Sequence, residues 1–509
     1  MICVVINGSN HGEINEQIQK ALQQNADLLE VRFDYLMDFS IEELLKICAD
    51  LRVLTTPKIF TLRTLYQGGH FKESEERRQS ILLAISIAGA PDYVDLEADS
   101  NEKFILAFRE KFPQIKLILS YHDFTKTPSE QTIQQIFSSM LTKNGDLYKL
   151  AFMSNSTLDT LRLMQFTIKN SKKHELITIS MGELGMPSRI VGKILGSKIT
   201  YATITCDKKN ASAPGQLPIK TLLDQYHYAS LDRQTAIYAL IGDPVDKSIS
   251  DKTHNALFRE LKLNAVYIKF KVLTKELEAV LTLLKELPLY GLSVTMPHKE
   301  TIMQYLDTID AHAAKIVAVN TLCIRQQQQQ QQQFHGFNCD GLGALDAISE
   351  TLSNSCKGEQ LLLLGAGGAA RAIAYEARQQ GAVVTIISRT FSKANAIAED
   401  FGCMAKRWEE LNALDFKNYK ILVNTIPSLE ILFDQSLLSP STIVFDIISN
   451  PKETPLLMLS RSRGCPVIYG YQMFALQALY QFKAWFPTLE VDWMNARLRA
   501  LQLAKAALL

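Results

Sequence analysis

Apolar, β-branched runs recur through the first two hundred residues: ICVVI (2–6), LLEVRF (28–33), IFTLR (59–63), YVDLEA (93–98), LILSY (117–121), YKLAF (148–152), LITIS (176–180) and ITYATI (199–204). Most are separated by segments whose apolar residues repeat at helical spacing, such as SIEELLKICADL (40–51) and ERRQSILLAISIAG (76–89). Short strands alternating with amphipathic helices, eight times over, predict a closed (β/α)8 barrel, a fold that takes about 200–250 residues.

The pattern then restarts. After ASAPGQLPIKTLLDQY the chain turns polar, and a new strand begins at IYALIG (237–242), placing a short joint near 226–235. NAVYIKFKV (264–272), GLSVTMP (291–297) and AVNTLCI (318–324) read as further strands, with DKTHNALFREL (251–261) and KELEAVLTLLKEL (275–287) as helices. EQLLLLGAGGAARAIAYEARQQGAVVTIISRT (359–390) then gives strand, glycine loop, helix and strand within about 30 residues, the pattern of a dinucleotide-binding unit. The fold class is α/β: a TIM barrel followed by a two-domain unit that contains a Rossmann domain.

Composition removes some alternatives. The 509 residues are 47% hydrophobic and 21% charged, with a formal net charge of +1. That length implies several domains, and that charge supplies no field for nucleic acid or anionic membrane as partner. No apolar run reaches the roughly 18–20 residues of a membrane span, and MICVVINGSN lacks the basic start of a signal peptide. The eight cysteines form no CxxC pair and no zinc-like spacing with histidine, so they read as reduced thiols of a cytoplasmic protein. Eight consecutive glutamines (326–333) lie between AVNTLCI and HGFNCDG, and predict an insertion at the tip of a surface hairpin rather than an interdomain tether.

Barrel chemistry gathers at the C-terminal ends of the strands, and those ends are polar here. Glu30 and Arg32 lie in LLEVRFD, and Arg63 ends the third run. Asp95 and Glu97 lie in the fourth, Ser120, His122 and Asp123 follow the fifth, and Lys149 stands inside YKLAF. A lysine flanked by Leu150 and Ala151 is expected to be poorly solvated, which lowers its pKa and frees an amine to form a Schiff base with a ketone. His122, with an unperturbed pKa near neutrality, is placed to move the proton that an iminium acidifies.

SYHDFTKTP, DLYKLAF, ISMGELGMPSR and ASAPGQ, in this order, resemble type I 3-dehydroquinate dehydratase over roughly residues 1–225. The resemblance implies Lys149 as the Schiff-base lysine, His122 as the proton shuttle, and Glu30, Arg32, Arg63, Arg189, Ser212 and Gln216 as substrate-binding residues. One position departs: the family's R-x-x-x-E-G-G reads Arg63-Thr-Leu-Tyr-Gln67-Gly68-Gly69 here, with an amide in place of a carboxylate. A working but slower dehydratase with altered pH dependence is expected.

In the second half, the GAGGAA loop offers Gly365, Ala366, Gly367, Gly368 and Ala369 to a pyrophosphate at a helix N-terminus, with Ala370 in place of the third glycine. The following strand ends in Ser388, Arg389 and Thr390, with no acid for a ribose diol, which favours NADP(H) over NAD(H). Ser248, Ser250, Thr295, Lys299, Asn320, Asp340 and Gln477 form a polar set, within which Lys299 and Asp340 suit proton transfer during carbonyl reduction. SVTMPHK, AVNT, GFNCDG, GAGGAAR, SRT and NPKETPLL resemble shikimate dehydrogenase over roughly 236–509. The resemblance implies Lys299 and Asp340 as catalytic, and Ser248, Ser250, Thr295, Asn320 and Gln477 as substrate-binding. Ser293, Asp251 and Ser449 stand where the family commonly has Asn, Pro and Tyr.

The two resemblances imply a dehydratase barrel (1–228), a dehydrogenase substrate-binding domain (229–340), an NADP-binding domain (341–468) and C-terminal helices returning to the substrate domain (469–509). Small molecules, namely 3-dehydroquinate, 3-dehydroshikimate and shikimate, are the expected partners, with no metal. Two alternatives stay open: a barrel reduced to a binding module, and a quinate/shikimate oxidoreductase.

Overall fold

The computed structural model describes residues 1–205, 211–326 and 332–508. Two compact units divide the chain: Met1–Thr235 with Thr282–Leu287, and Ala236–Leu281 with Pro288–Leu509.

All eight apolar runs of the first unit form strands: β1 (Ile2–Ile6), β2 (Leu28–Arg32), β3 (Lys58–Thr61), β4 (Tyr93–Glu97), β5 (Lys116–Asp123), β6 (Leu147–Met153), β7 (Leu176–Met181) and β8 (Thr200–Thr203). A short β9 (Leu217–Pro218) follows. They make one parallel sheet in the order β7-β6-β5-β4-β3-β2-β1-β8-β9. The sheet closes where Leu176 bridges Ser197 and the Lys198 N–H donates to the Leu176 carbonyl at 2.8 Å.

The helices between strands begin where short polar side chains can cap them. Ser40 accepts from the Glu43 N–H, Ser74 from Arg77 and Ser129 from Thr132, and Ser156 with Asp159 forms a full capping box. The spacing read in 40–51 buries Leu44, Ile47, Cys48 and Leu51 on one face.

Strand alternation builds the site. Residues of one parity fill the barrel interior, because successive side chains point to opposite faces of a strand. Cys3, Val5, Leu28, Ile59, Ile118, Leu147 and Ile177 make an apolar core there. Further along β2, β4, β5 and β6 the same parity carries Glu30 and Arg32, Asp95 and Glu97, Ser120 and His122, and Lys149. The barrel is therefore apolar below and charged above.

The second unit holds two sheets. The first joins β10 (Ala236–Gly242), β11 (Ala265–Lys271), β12 (Leu289–Val294), β13 (Thr308–Ile309), β14 (Thr321–Gln326) and β15 (Gln332–Phe337), in the order β11-β10-β12-β14-β15-β13. β14 and β15 pair antiparallel from Thr321↔Phe337 to Gln326↔Gln332. The tip expected to carry the glutamine run, 327–331, lies outside the described residues.

The second sheet is parallel, built from β16 (Gln360–Leu364), β17 (Val383–Ser388), β18 (Met404–Arg407), β19 (Ile421–Asn424), β20 (Ile443–Asp446) and β21 (Val467–Tyr469). Its order, β18-β17-β16-β19-β20-β21, reverses direction at β16, directly before the glycine loop, as in doubly wound nucleotide-binding folds. The helix Gly470–Trp485 packs on the first sheet, where the Trp485 indole donates to the Leu322 carbonyl at 3.0 Å. No helix of the described residues is long and apolar enough to cross a membrane.

Candidate active sites

The barrel cavity is lined by Glu30, Arg32, Arg63, Gln67, His122, Lys149, Arg189, Tyr201, Ser212 and Gln216, so every residue implied by the sequence for this half is brought together. Lys149 is buried, as expected of its apolar neighbours. It is not the isolated amine that desolvation alone predicts. Its Nζ lies 3.0 Å from Asp95 Oδ2 and 3.5 Å from Glu30 Oε1, and 4.2 Å above the Tyr201 ring. The interior parity that buries the lysine buries two carboxylates with it.

Asp95 also takes Arg63 Nη2 at 2.8 Å and the Ser120 hydroxyl at 2.6 Å. Burial by itself would raise the Asp95 pKa, but Arg63 and Lys149 hold it well below the usual carboxylate range. Arg63 further meets Glu97 at 3.3 Å, and Glu97 is held from behind by Arg78 at 2.7 Å. Arg32 is fixed by a two-pronged contact with Asp34, both at 2.8 Å.

Arg189 is differently placed. Its Nη2 donates to the Pro214 carbonyl at 3.0 Å, while its Nε is buried without a hydrogen-bond partner among the described residues. Burial pushes its pKa down to about 10, so it stays cationic at neutral pH and keeps a donor for a ligand anion. Ser212 and Gln216 hold each other, the Ser212 N–H donating to Gln216 Oε1 at 2.9 Å.

His122 sits on β5, which runs farther than the sequence pattern suggests, through Asp123. Its ordinary pKa does not survive. Burial first, then the Arg63 and Lys149 cations, push it well below 6.5, against a smaller opposing pull from Asp95. The resting imidazole is neutral and can accept a proton.

In the second unit a cavity of about 230 Å³ is lined by Ser248, Ser250, Thr295, Lys299, Asn320, Asp340 and Gln477, again the full set read from the sequence. Lys299 Nζ and Asp340 Oδ2 are 2.5 Å apart. The Asn320 amide donates to Asp340 Oδ1 at 2.8 Å and to Gln477 Oε1 at 3.3 Å. The Ser248 and Ser250 hydroxyls touch each other. Ser449 and Ser293 line the same cavity, while Asp251 pairs with Lys269 at 3.2 Å.

The glycine loop adjoins this cavity, and Ala369 lines it directly. Gly365 has φ +109°, and a Cβ there would fall 2.3 Å from the Thr425 hydroxyl. Gly367 precedes the helix Gly368–Gln379 with open space around it and no side chain capping the helix. A Cβ on Gly368 would come within 3.5 Å of Lys299 Cβ, so loop and lysine are neighbours. Ala366 packs against the sheet core; Ser388 ends β17, and Arg389 and Thr390 follow it, both exposed. The open glycine turn at the start of this helix leaves room for a phosphate group.

Some residues at these sites carried no individual role in the sequence. Asp95 and Glu97 were placed among the polar strand ends of the barrel, but their pairing with Arg63 and Lys149 was not. Gln481, one helical turn after Gln477, takes the Ser293 hydroxyl at 3.2 Å and donates to Thr321 Oγ1 at 2.9 Å. His254 is buried against Tyr267 and Gln481 in the same cavity. Tyr201 was hidden inside a strand, where nothing local marks it.

Together these features define a two-centre α/β enzyme, with a barrel site built around a buried lysine and a second site beside a nucleotide-binding loop. The profile of type I 3-dehydroquinase matches residues 2–233, that of the shikimate dehydrogenase substrate binding domain residues 240–322, and that of shikimate/quinate 5-dehydrogenase residues 347–454. The chain is 33% identical to the shikimate biosynthesis protein AroDE of Chlamydia pneumoniae, over 96% of this chain and 95% of that one. It therefore belongs to the family of fused 3-dehydroquinate dehydratase/shikimate dehydrogenases. The chloroplastic bifunctional enzyme of that name from Arabidopsis thaliana is 31% identical over 95% of this chain and 81% of its own length. A shikimate dehydrogenase (NADP(+)) of Lysinibacillus sphaericus is 35% identical over 52% of this chain and 96% of its own.

Proposed function

We propose that residues 1–228 dehydrate 3-dehydroquinate and that the rest of the chain reduces the product to shikimate with NADPH. In this division 229–340 hold the substrate, 341–468 hold the cofactor and 469–509 complete the substrate domain. The observation that carries the reading is that each cavity joins an amine to its proton-transfer partner. Lys149 and His122 line the first, and Lys299 and Asp340 line the second.

In the barrel, Arg189 with Ser212 and Gln216 receives the substrate carboxylate, and Arg32, Arg63 and Glu30 take its hydroxyls. The Lys149 amine, once its ammonium has lost a proton to solvent, attacks the ketone carbon. Loss of water gives an iminium, which acts as an electron sink and acidifies the adjacent C–H. His122 removes that proton and returns it to the departing hydroxyl, and hydrolysis of the imine releases 3-dehydroshikimate and the free lysine. One water is lost overall.

In the second site Ser248, Ser250, Thr295, Asn320 and Gln477 orient the ketone. Reduced nicotinamide supplies the hydride to its carbon when bound. Lys299 gives a proton to the carbonyl oxygen, and Asp340 orients the ammonium and offsets its charge. Arg389, Ser388 and Thr390 at the end of β17 supply donors for a 2′-phosphate.

The test is a coupled assay with 3-dehydroquinate and NADPH, following cofactor absorbance. Loss of NADPH is expected, since only the dehydrated product is the ketone to be reduced. Activity on 3-dehydroshikimate alone would overturn the barrel reading, and silence with both substrates would overturn the dehydrogenase reading. Borohydride with 3-dehydroquinate should add mass at Lys149, and the adduct should be absent from Lys149→Ala.

A further inference from the structure

The barrel carries one polar chain that the reaction scheme above leaves unused. Gln67 is buried below His122, and its Oε1 accepts both the His122 backbone N–H and His122 Nδ1, each at 3.1 Å. Its Nε2 donates to Asp99 Oδ1, also at 3.1 Å. We propose that Asp99 is a positioning residue for His122, acting through the Gln67 amide; this deepens the dehydratase reading and rests on it.

An ionised carboxylate only accepts, so Asp99 requires the amide nitrogen on its side. A backbone N–H only donates, so His122 requires the amide oxygen on its own side. Both ends select one orientation of Gln67. The oxygen then facing Nδ1 makes that nitrogen the protonated one, which leaves the Nε2 lone pair free to take the substrate proton.

Local structure prevents the amide from leaving. Gln67 ends the turn Leu65–Gln67, and Gly68 closes it at φ +76°. A Cβ on Gly68 would lie 2.4 Å from the Phe124 ring, and Phe124 stacks on His122 with 6.2 Å between centroids.

The other charges around the imidazole do not supply this constraint. Arg32 from β2, Arg63 following β3 and Lys149 from β6 are cations that oppose its protonation, and Asp95 from β4 favours it. Asp123, the next residue on β5, turns its carboxylate to the Thr125 N–H and hydroxyl. Asp99 is an exposed residue, so water screens its charge and its effect passes through the hydrogen bond. A carboxylate at position 67 would meet Asp99 within hydrogen-bond distance, and two such groups cannot both stay ionised without cost. The amide at 67 and the carboxylate at 99 form a matched pair.

The experiment uses the full chain with Asp99→Leu, Asp99→Asn, Gln67→Glu and the Gln67→Glu/Asp99→Asn double variant, each checked for unchanged thermal unfolding. Asp99→Leu should lower kcat for dehydration about fivefold with KM little changed, the scale of one lost hydrogen bond. Asp99→Asn, which keeps an acceptor oxygen, should restore most of that rate. Gln67→Glu should be slower than the double variant, reversing the order that independent effects would give. Ring nitrogen-15 NMR of His122 should show the Nδ1-protonated form, with a mixed form in Asp99→Leu. Unaltered kcat and nitrogen shifts in Asp99→Leu, or additive effects in the double variant, would overturn the proposal. The NMR arm needs no turnover: a chain that does not dehydrate 3-dehydroquinate overturns the dehydratase reading, while the nitrogen shifts still decide what Asp99 does.

Discussion

Lys149 and Asp95 stand 3.0 Å apart inside the barrel, both side chains almost wholly removed from solvent. The same carboxylate takes Arg63 at 2.8 Å, so one anion faces two buried cations. Each charge is expensive to bury alone, and the three are tolerable because they compensate one another.

Asp95→Asn should therefore be among the most destabilising single changes in the first unit. Removing one partner of a buried pair leaves the other uncompensated, at a cost of about 3–5 kcal/mol. Urea unfolding monitored on the full chain should show the barrel's transition moving to lower denaturant. A change under about 1 kcal/mol, the usual worth of an exposed pair, would mean that water reaches these groups.

Acidity should weaken the fold over a defined window. His122 is held well below 6.5 by burial and nearby cations, and burial pushes His254 down to about 4. The unfolded chain binds protons on both as pH falls through about 6.5, and the folded chain does not. Stability thus rises with pH through that window and is lost as pH drops from about 6.5 toward 4, with roughly 3 kcal/mol attached to His254 alone. Unfolding midpoints across this range test it, and a flat profile would contradict neutral burial of either ring. Dehydration should follow the same sign: activity persists below pH 6.5 and falls only as His122 takes a proton.

The two centres should be separable by mutation. Lys299→Ala should lower kcat for reduction by about 10²–10⁴, the range for loss of a positioned acid, while dehydration of 3-dehydroquinate is unchanged. Asp340→Asn should act in the same direction. Assaying both half-reactions on each variant checks this, and a parallel loss of both activities would point to misfolding instead.

Cofactor preference should rest on the end of β17. Arg389→Ala should raise KM for NADPH about tenfold, the equivalent of roughly 1.4 kcal/mol, with little effect on NADH. Equal losses with both cofactors would place the phosphate elsewhere.

Much of this architecture could be read along the chain. The eight apolar runs became eight strands because a parallel barrel buries both faces of each, and such strands read as near-continuous hydrophobic text. The charged positions at their ends were visible for the same reason: a charge inside an apolar run is conspicuous. GAGGAA worked similarly, since only glycine tolerates the backbone at Gly365. The glutamine run was placed inside a hairpin, and its flanking strands pair from Thr321 to Gln326.

Partners were less legible than positions. Lys149 read as a poorly solvated amine among other strand-end charges, but which of them it pairs with was hidden, because Asp95 and Glu30 lie 54 and 119 residues away in the chain and reach it only when the sheet closes. His122 looked like an ordinary imidazole because the cations that suppress its protonation come from other strands. Gln67 looked like a lost charge, and only folding sets Asp99 against its far side.

The sequence by itself determined the elements, their order and the residue types that face each cavity, because periodicity and local backbone preference act between near neighbours. Tertiary structure alone decided protonation and pairing, because electrostatics and desolvation depend on distance through space and not on separation along the chain.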